Sequence, residues 1–260
     1  MSDLSLVASR TSPVKEARTL IVRALRLTLR NPEALPTAFA LPVMLLLMFV
    51  YLFGGAIHTG THYVDYVVPG VVLVCVGFGA ATTAVSVSHD LTSGVIDRFR
   101  SIDVRGETLT GGHVIASVLR NLCSTMIVLA VALAVGFRAH GDPAAWLAAV
   151  GILVLYVLAL SWFAAAIGIL AKSPEAAQGV TFFVSFLPYP SSAFVPIHTM
   201  PAGLRAFASH QPVTAVANAI RELLNGQPAG TDCLHAVIWS LGILAASVVL
   251  AGVLYRRRLA

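Results

Sequence analysis

Between Tyr66 and Ser88 the chain runs YVVPGVVLVCVGFGAATTAVSVS without one Asp, Glu, Lys or Arg. Crossing a hydrocarbon core of roughly 30 Å takes about 20 predominantly apolar residues as a helix, and this run supplies them. Lipid offers no hydrogen-bond partners, so backbone amides must be satisfied within the segment. That selects helices, since a β-barrel would alternate in segments of about ten residues. Six stretches meet the length test: Leu35–Gly55, Tyr66–Ser88, Val118–Phe137, Trp146–Ala171, Ala176–Pro196 and Ala236–Tyr255. The third carries Arg120 near its start, and Pro188, Pro190 and Pro196 interrupt the fifth. With 57% hydrophobic residues and a mean hydropathy of +0.84, the chain has no polar shell for a soluble domain of its length. The expected fold is all-α, a polytopic membrane protein with six transmembrane helices.

Basic residues set the orientation, because cytoplasmic loops hold the excess of Lys and Arg. With the N-terminus inside, 13 of the 17 fall on the inner side, including Arg98, Arg100, Arg105, Lys172 and Arg256 to Arg258. Arg138, Arg205 and Arg221 stay outside, and Arg120 sits at a membrane entry. Both termini are therefore expected in the cytoplasm. The net charge of +5 is a topology signal and gives no reason to invoke nucleic acid. The first apolar run follows more than 30 residues of charged N-terminus, shows no convincing A-x-A cleavage site, and reads as a retained helix, not a cleaved signal. Residues 1–34 form a cytoplasmic segment, and 35–260 the transmembrane domain. Cys75, Cys123 and Cys233 are scattered and give neither a disulfide framework nor metal spacing.

Residues 13–31, PVKEARTLIVRALRLTLRN, wind into an amphipathic helix. Val14, Ala17, Leu20, Ile21, Ala24, Leu25 and Thr28 share one face, and Lys15, Arg23, Arg26 and Arg30 the opposite one. Such a helix lies in the headgroup layer. It serves either as an interface helix that senses a cytoplasmic partner or as a topology anchor.

Several chemistries are missing. A phosphate-binding loop needs G-x-x-x-x-G-K-[ST], but the two lysines, Lys15 and Lys172, follow Val14 and Ala171. If ATP drives this protein, another chain binds it. Ion-coupled transport calls for ionisable residues deep in the spans, and only Arg120 stands out. It is expected to snorkel to the inner surface. The two imidazoles of HTGTH, His58 to His62, lie on a poor helix former and read as a solvated loop. No G-x-S-x-G elbow supports a hydrolase.

The connector DLTSGVIDRFRSIDVR, Asp90 to Arg105, holds six charges in sixteen residues. On a helical wheel Leu91, Val95, Phe99 and Ile102 fall within about 80°. Asp90, Asp97 and Ser101 form another face beside Gly94, and Arg98 and Arg100 flank the apolar seam. A lipid-surface helix is one reading, although anionic lipid repels Asp90, Asp97 and Asp103. Mixed charge around an apolar tip suits a protein groove better.

The run D-x-x-x-G-V-I-D-R-F-R-S-I resembles the cytoplasmic loop of ABC-2 type permeases, in particular those similar to daunorubicin/doxorubicin-resistance exporters. A second stretch, MPAGLRAFASHQPVTAVANAIRELLNG from Met200 to Gly226, is similar to that family's outer segment. Where the family usually has Pro two residues after the loop Ser, this chain has Asp103. The resemblance covers essentially the whole chain and implies a type V exporter-like architecture. It implies a coupling helix at about 90–105 that docks on a separate cytoplasmic ABC ATPase through Asp90, Gly94, Asp97, Arg98, Phe99 and Arg100. It also implies an outer re-entrant segment at about 197–235, marked by Pro201, Pro212 and Arg221. The alternative there is an ordinary extracellular loop with one surface helix.

Aromatic residues of spans one, two and five are candidates for a path: Phe39, Phe49, Phe53, Phe78, Phe182, Phe183, Phe186 and Tyr189. Gly77, Gly79, Gly168 and Gly242 would let helices approach closely. The expected protein is the non-catalytic permease of an exporter in a bacterial plasma membrane, carrying a hydrophobic drug, antibiotic or lipid. It works with a second permease copy or a related one, amid membrane lipid. It holds no cofactor itself, ATP and Mg being expected on the ATPase. A polysaccharide exporter and an ATP-independent secondary carrier are the alternatives.

Overall fold

The computed structural model describes residues 34–57, 59–60, 62–93 and 106–259. The basic N-terminal helix, with Lys15, Arg23, Arg26 and Arg30, lies outside the described residues. So do Gly94, Asp97, Arg98, Phe99 and Arg100 of the connector. The described residues form α-helices and short helical turns, with no strand among them.

Helix α1, Ala34–Leu47, continues into a π-helical turn, Met48–Phe53. Gly54 follows that turn at a position where a Cβ would clash with the Val50 carbonyl oxygen, so only glycine fits. The remaining helices are α2 Tyr63–Thr92, α3 Gly106–Val135, α4 Pro143–Leu170 and α5 Pro174–Phe186. A 3₁₀ turn at Ile197–Thr199 leads to α6 Ala202–His210, α7 Pro212–Leu224 and α8 Thr231–Leu259.

Local sequence explains most of these limits. Asp142 caps α4 by accepting from the Ala145 N–H at 2.7 Å, and Ser173 caps α5 from the Ala176 N–H at 3.2 Å. Pro143, Pro174 and Pro212 occupy first turns, where a missing N–H costs nothing. Helices α3 and α7 end on left-handed glycines, Gly136 at φ 112° and Gly226 at φ 71°. In both, the two amides at and after the glycine fold back onto the last turn: Phe137 N–H reaches Ala132 O, and Gln227 N–H reaches Glu222 O.

Helices α2, α3, α4 and α8 contain stretches long and apolar enough to cross a membrane alone: Tyr63–Thr92, Thr110–Val135, Pro143–Leu170 and Thr231–Arg257. The expected first and fifth spans differ. The apolar part of the first is a shorter helix, Ala40–Phe53. Helix α5 has 13 residues, which at 1.5 Å each reach only about 20 Å. Beyond Phe186 the backbone turns, because Pro188 and Pro190 have no N–H to continue the helical ladder. A six-span arrangement therefore requires α1 and α5 to cross with the help of backbone that is not α-helical.

The core lies around α2 and α4, whose apolar windows are mostly buried, while α3 and α8 are largely exposed. Helix α2 packs against α3, α4 and α5, and α8 against α4 and α7. Glycines set the tightest approaches. A Cβ on Gly77 would lie 3.0 Å from Ser185 Cα, and one on Gly168 2.5 Å from the Ala84 carbonyl. Gly242 differs from expectation, since among the described residues nothing lies within 4 Å of a Cβ there.

Candidate functional site

The break after α5 leaves carbonyls with no helical partner, and side chains of α2 and α7 take them up. Tyr63 donates its hydroxyl to the Phe194 carbonyl at 3.0 Å, and Tyr66 to the Ser192 carbonyl at 2.9 Å. Gln211 Nε2 donates to the Pro190 carbonyl. Ser191 Oγ donates to the Pro188 carbonyl and accepts from the Ala193 N–H. This meets the requirement that irregular backbone near lipid be covered by protein. Gly70 makes room, since a Cβ there would sit 2.4 Å from the Ala193 carbonyl oxygen.

Arg221 of α7 is the hub. Its Nη2 donates to the Ser192 carbonyl at 2.8 Å, its Nε to the Tyr66 carbonyl at 3.1 Å, and its Nη1 to Asn218 Oδ1 at 2.7 Å. The guanidinium carbon lies 3.8 Å from the centroid of the Tyr66 ring. Asn218 extends the network by accepting from Ser192 Oγ at 2.7 Å and donating to Asp232 of α8 at 2.8 Å. Helices α2 and α7 and the segment after α5 thus meet on one cation, and Asn218 links it to α8. Burial lowers the Arg221 pKa, against the favourable fields of Tyr66 and Asp232. Its neighbour Glu222 is raised above the usual carboxylate range, mainly by burial, although the Gly230 N–H opposes the shift.

Of the expected outer residues, Arg221 is at this hub and Pro212 opens α7. Pro201 precedes α6, a helix with only Ala208 buried. Helix α7 is not a surface helix, because nine of its 13 residues are buried, among α2, α4 and α8. Its C-terminus also receives the loop before α4: the N–H groups of His140 and Gly141 both reach the Leu224 carbonyl.

The expected aromatic path forms a ladder of rings. Phe53 lies 5.5 Å from Phe49, and Phe49 stacks at 4.4 Å on Phe194. Phe194 stacks at 5.4 Å on Tyr189, which meets Phe186 at 5.1 Å. Phe186 lies 4.7 Å from Phe182, and Phe182 meets Phe183 edge-on at 6.3 Å. The ladder is buried in its middle, with Phe194 only 2% exposed, and reaches the surface at both ends, with Phe53 at 38% and Phe183 at 76%. Phe194 was not among the sequence candidates; its signal was an aromatic between two helix-breaking prolines. Phe78 is partly buried against the core and stands apart from the ladder, and Phe39 lies on α1.

Arg120 does not reach for the surface as expected. Its Nη2 donates to Thr83 Oγ1 at 3.1 Å and to the Gly79 carbonyl at 3.3 Å, tying α3 to α2. Beside it, Ser117 Oγ accepts from Thr83 at 2.7 Å and from Ser161 of α4 at 2.9 Å. At the other end of α2, Asp90 turns onto α3, with Oδ2 3.0 Å from His113 Nε2. Among the described residues no cluster of His, Cys, Asp or Glu could hold a metal ion.

Residues 56–255 match the family model described as ABC-2 family transporter protein. The chain is 31% identical over 252 residues to the daunorubicin resistance ABC transporter permease protein of Streptomyces coeruleorubidus, covering 96% of this chain and 89% of that one. It is 21% identical over 222 residues to the protein named "Probable doxorubicin resistance ABC transporter permease protein" of Mycobacterium tuberculosis, covering 85% and 80%.

Proposed function

We propose, from the premise that this chain belongs to the ABC-2 family of transporter proteins and is a permease subunit, that it exports a hydrophobic or amphipathic drug, antibiotic or lipid. The observation that carries the cargo class is the ring ladder from Phe53 to Phe183, buried at Phe194 and open at α5. A flat apolar cargo can exchange ring contacts along such a ladder in small steps, each stacking contact being worth about 1 kcal/mol.

In this reading six spans cross a bacterial plasma membrane with both termini in the cytoplasm, and α6 and α7 form a re-entrant outer gate. ATP and Mg are held by a separate cytoplasmic ATPase. The connector at 90–105 docks on that subunit, with Phe99 as anchor and the charges of Asp97, Arg98 and Arg100 setting register. ATP binding clamps two ATPases together, and the movement passes through the connector to α2 and α3. Two permeases complete the assembly. The exposed rings of α5, Phe182, Phe183 and Phe186, face the path or the second copy.

The test is co-expression with the partner ATPase and uptake into inverted vesicles. ATP-dependent accumulation of an aromatic amphiphile supports the proposal, and accumulation indifferent to ATP overturns it. The same ladder also suits a polysaccharide, since sugar rings pack on aromatic faces. Polymer appearing outside the cell, with no change in drug tolerance, would favour that reading.

A further inference from the structure

Between α3, α4 and α8 lies a cavity of about 230 Å³ lined by Thr110, Trp162, Ile169, Val248, Ala251, Gly252 and Tyr255. Its wall is mostly apolar, with Thr110, Trp162 and Tyr255 the lining residues that carry a polar side-chain atom. Such a lining favours an apolar guest over water, which needs two to four polar partners. Along α8 it runs from Val248 to Tyr255, about 10 Å at 1.5 Å per residue. Val248 is 40% exposed, so one side opens on the surface that a membrane-spanning α8 turns to lipid. Directly after Tyr255 come Arg256 and Arg257, both exposed.

We propose that this cavity holds a segment of one acyl chain of an anionic phospholipid from the leaflet at the C-terminal end of α8, with Arg256, one turn beyond Gly252, at its phosphate and Arg257 adding to the local positive field. The slot supplies a place for the chain, and the arginines select the charge. Other occupants fit less well. The amphipathic segment 13–31 brings Lys15, Arg23, Arg26 and Arg30 towards two more arginines. Wound as the helix its sequence pattern calls for, it would be some 10 Å across, too thick for a slot of this volume. A second copy of the chain would present the same two arginines to themselves. The inference depends on α8 spanning a membrane but not on the cargo or the direction of transport.

The full chain, purified in detergent, is offered equal amounts of phosphatidylglycerol and phosphatidylcholine, and retained lipid is counted by native mass spectrometry. The expected result is one phosphatidylglycerol per chain, preferred about tenfold, since each juxtaposed basic residue strengthens anionic binding several-fold. Gly252→Phe should abolish retention of both lipids by filling the slot. Among the described residues nothing lies within 4 Å of a Cβ at Gly252, so the ring enters without displacing their backbone. Gly252→Ala, which leaves the slot open, should retain lipid and controls for folding. The pair Arg256→Gln and Arg257→Gln should bring the preference towards unity while a lipid still binds. Equal retention of the two lipids by the unaltered chain would overturn the proposal, as would undiminished retention by Gly252→Phe. Displacement of the lipid by a synthetic 13–31 peptide would overturn it in favour of that segment.

Discussion

The guanidinium of Arg221 lies 3.8 Å from the Tyr66 ring centroid, and Arg221 Nη2 and the Tyr66 hydroxyl both donate to the Ser192 carbonyl. The two residues stand 155 positions apart and together hold the break that follows α5. Arg221→Ala removes three hydrogen bonds at once, leaving the Ser192 carbonyl to the Tyr66 hydroxyl and Asn218 Oδ1 to Ser192 Oγ. It should cost about 3 kcal/mol, at about 1 kcal/mol for each net hydrogen bond lost. Arg221→Lys should recover only part of this, because an ammonium cannot offer a planar fork to three acceptors and a ring. Thermal unfolding in detergent checks both, and unchanged melting of Arg221→Ala would remove the hub role.

The ladder makes a contrasting pair. Phe194 is 2% exposed and stacked on both sides, so Phe194→Ala should destabilise by about 3–5 kcal/mol, as large-to-small changes do in a core. Phe186 is 45% exposed, so Phe186→Ala should leave expression and melting near normal. It should lower uptake of an aromatic amphiphile several-fold in vesicles. Equal uptake would separate these rings from the path.

Glu222 gives a pH signature. Burial raises its carboxyl in the folded chain, so the folded state holds this proton more tightly than the unfolded one. The resulting stabilisation is full below the unfolded pKa and is lost as pH rises through the folded one. At neutral pH the ionised group therefore works against folding. Glu222→Gln keeps an oxygen for the Gly230 N–H and removes the charge. It should raise Tm by about 1–2 °C at pH 7.5, the effect being small at a partly exposed site. The difference should vanish near pH 4. A gain that persists at pH 4 would assign the effect to packing.

The long spans were legible because length and lack of charge suffice to define them. α2, α4 and α8 enclose or run past the expected stretches on that basis alone, and α5 breaks where Pro188 and Pro190 stand. What that break required was not legible. The partners of the Ser192 and Phe194 carbonyls come from Tyr66 and Tyr63, more than 120 residues earlier, and no local pattern encodes such a pairing. Arg120 departs from its sequence expectation for a related reason. Its sequence shows a cation near a membrane entry, whereas its fate was decided by Gly79 and Thr83 on a neighbouring helix. Gly77, Gly79 and Gly168 are approach sites as their small size implies, but Gly242 is a small residue in a span that no described residue approaches.

Asp90 offers the sharpest test of how the connector is held. Sequence reading put it among the residues that touch an ATPase, yet its carboxylate faces His113 across 3.0 Å, each side chain 19% exposed. His89 also lies near, at 3.8 Å. A carboxylate so engaged fixes the spacing between the end of α2 and the first turns of α3, and the connector leaves from that base. On this view Asp90→Asn and His113→Ala remove one shared interaction. Each should reduce permease-stimulated ATPase activity about twofold to threefold, and the double variant should be no worse than either, the signature of residues acting as a unit. Phe99→Ala, which would remove the anchor itself, should lower stimulation and transport further while insertion into the membrane stays intact, and its effect should add to that of His113→Ala. Additive losses for Asp90→Asn and His113→Ala would return Asp90 to the docking surface. Full stimulation by Phe99→Ala would sink the anchor.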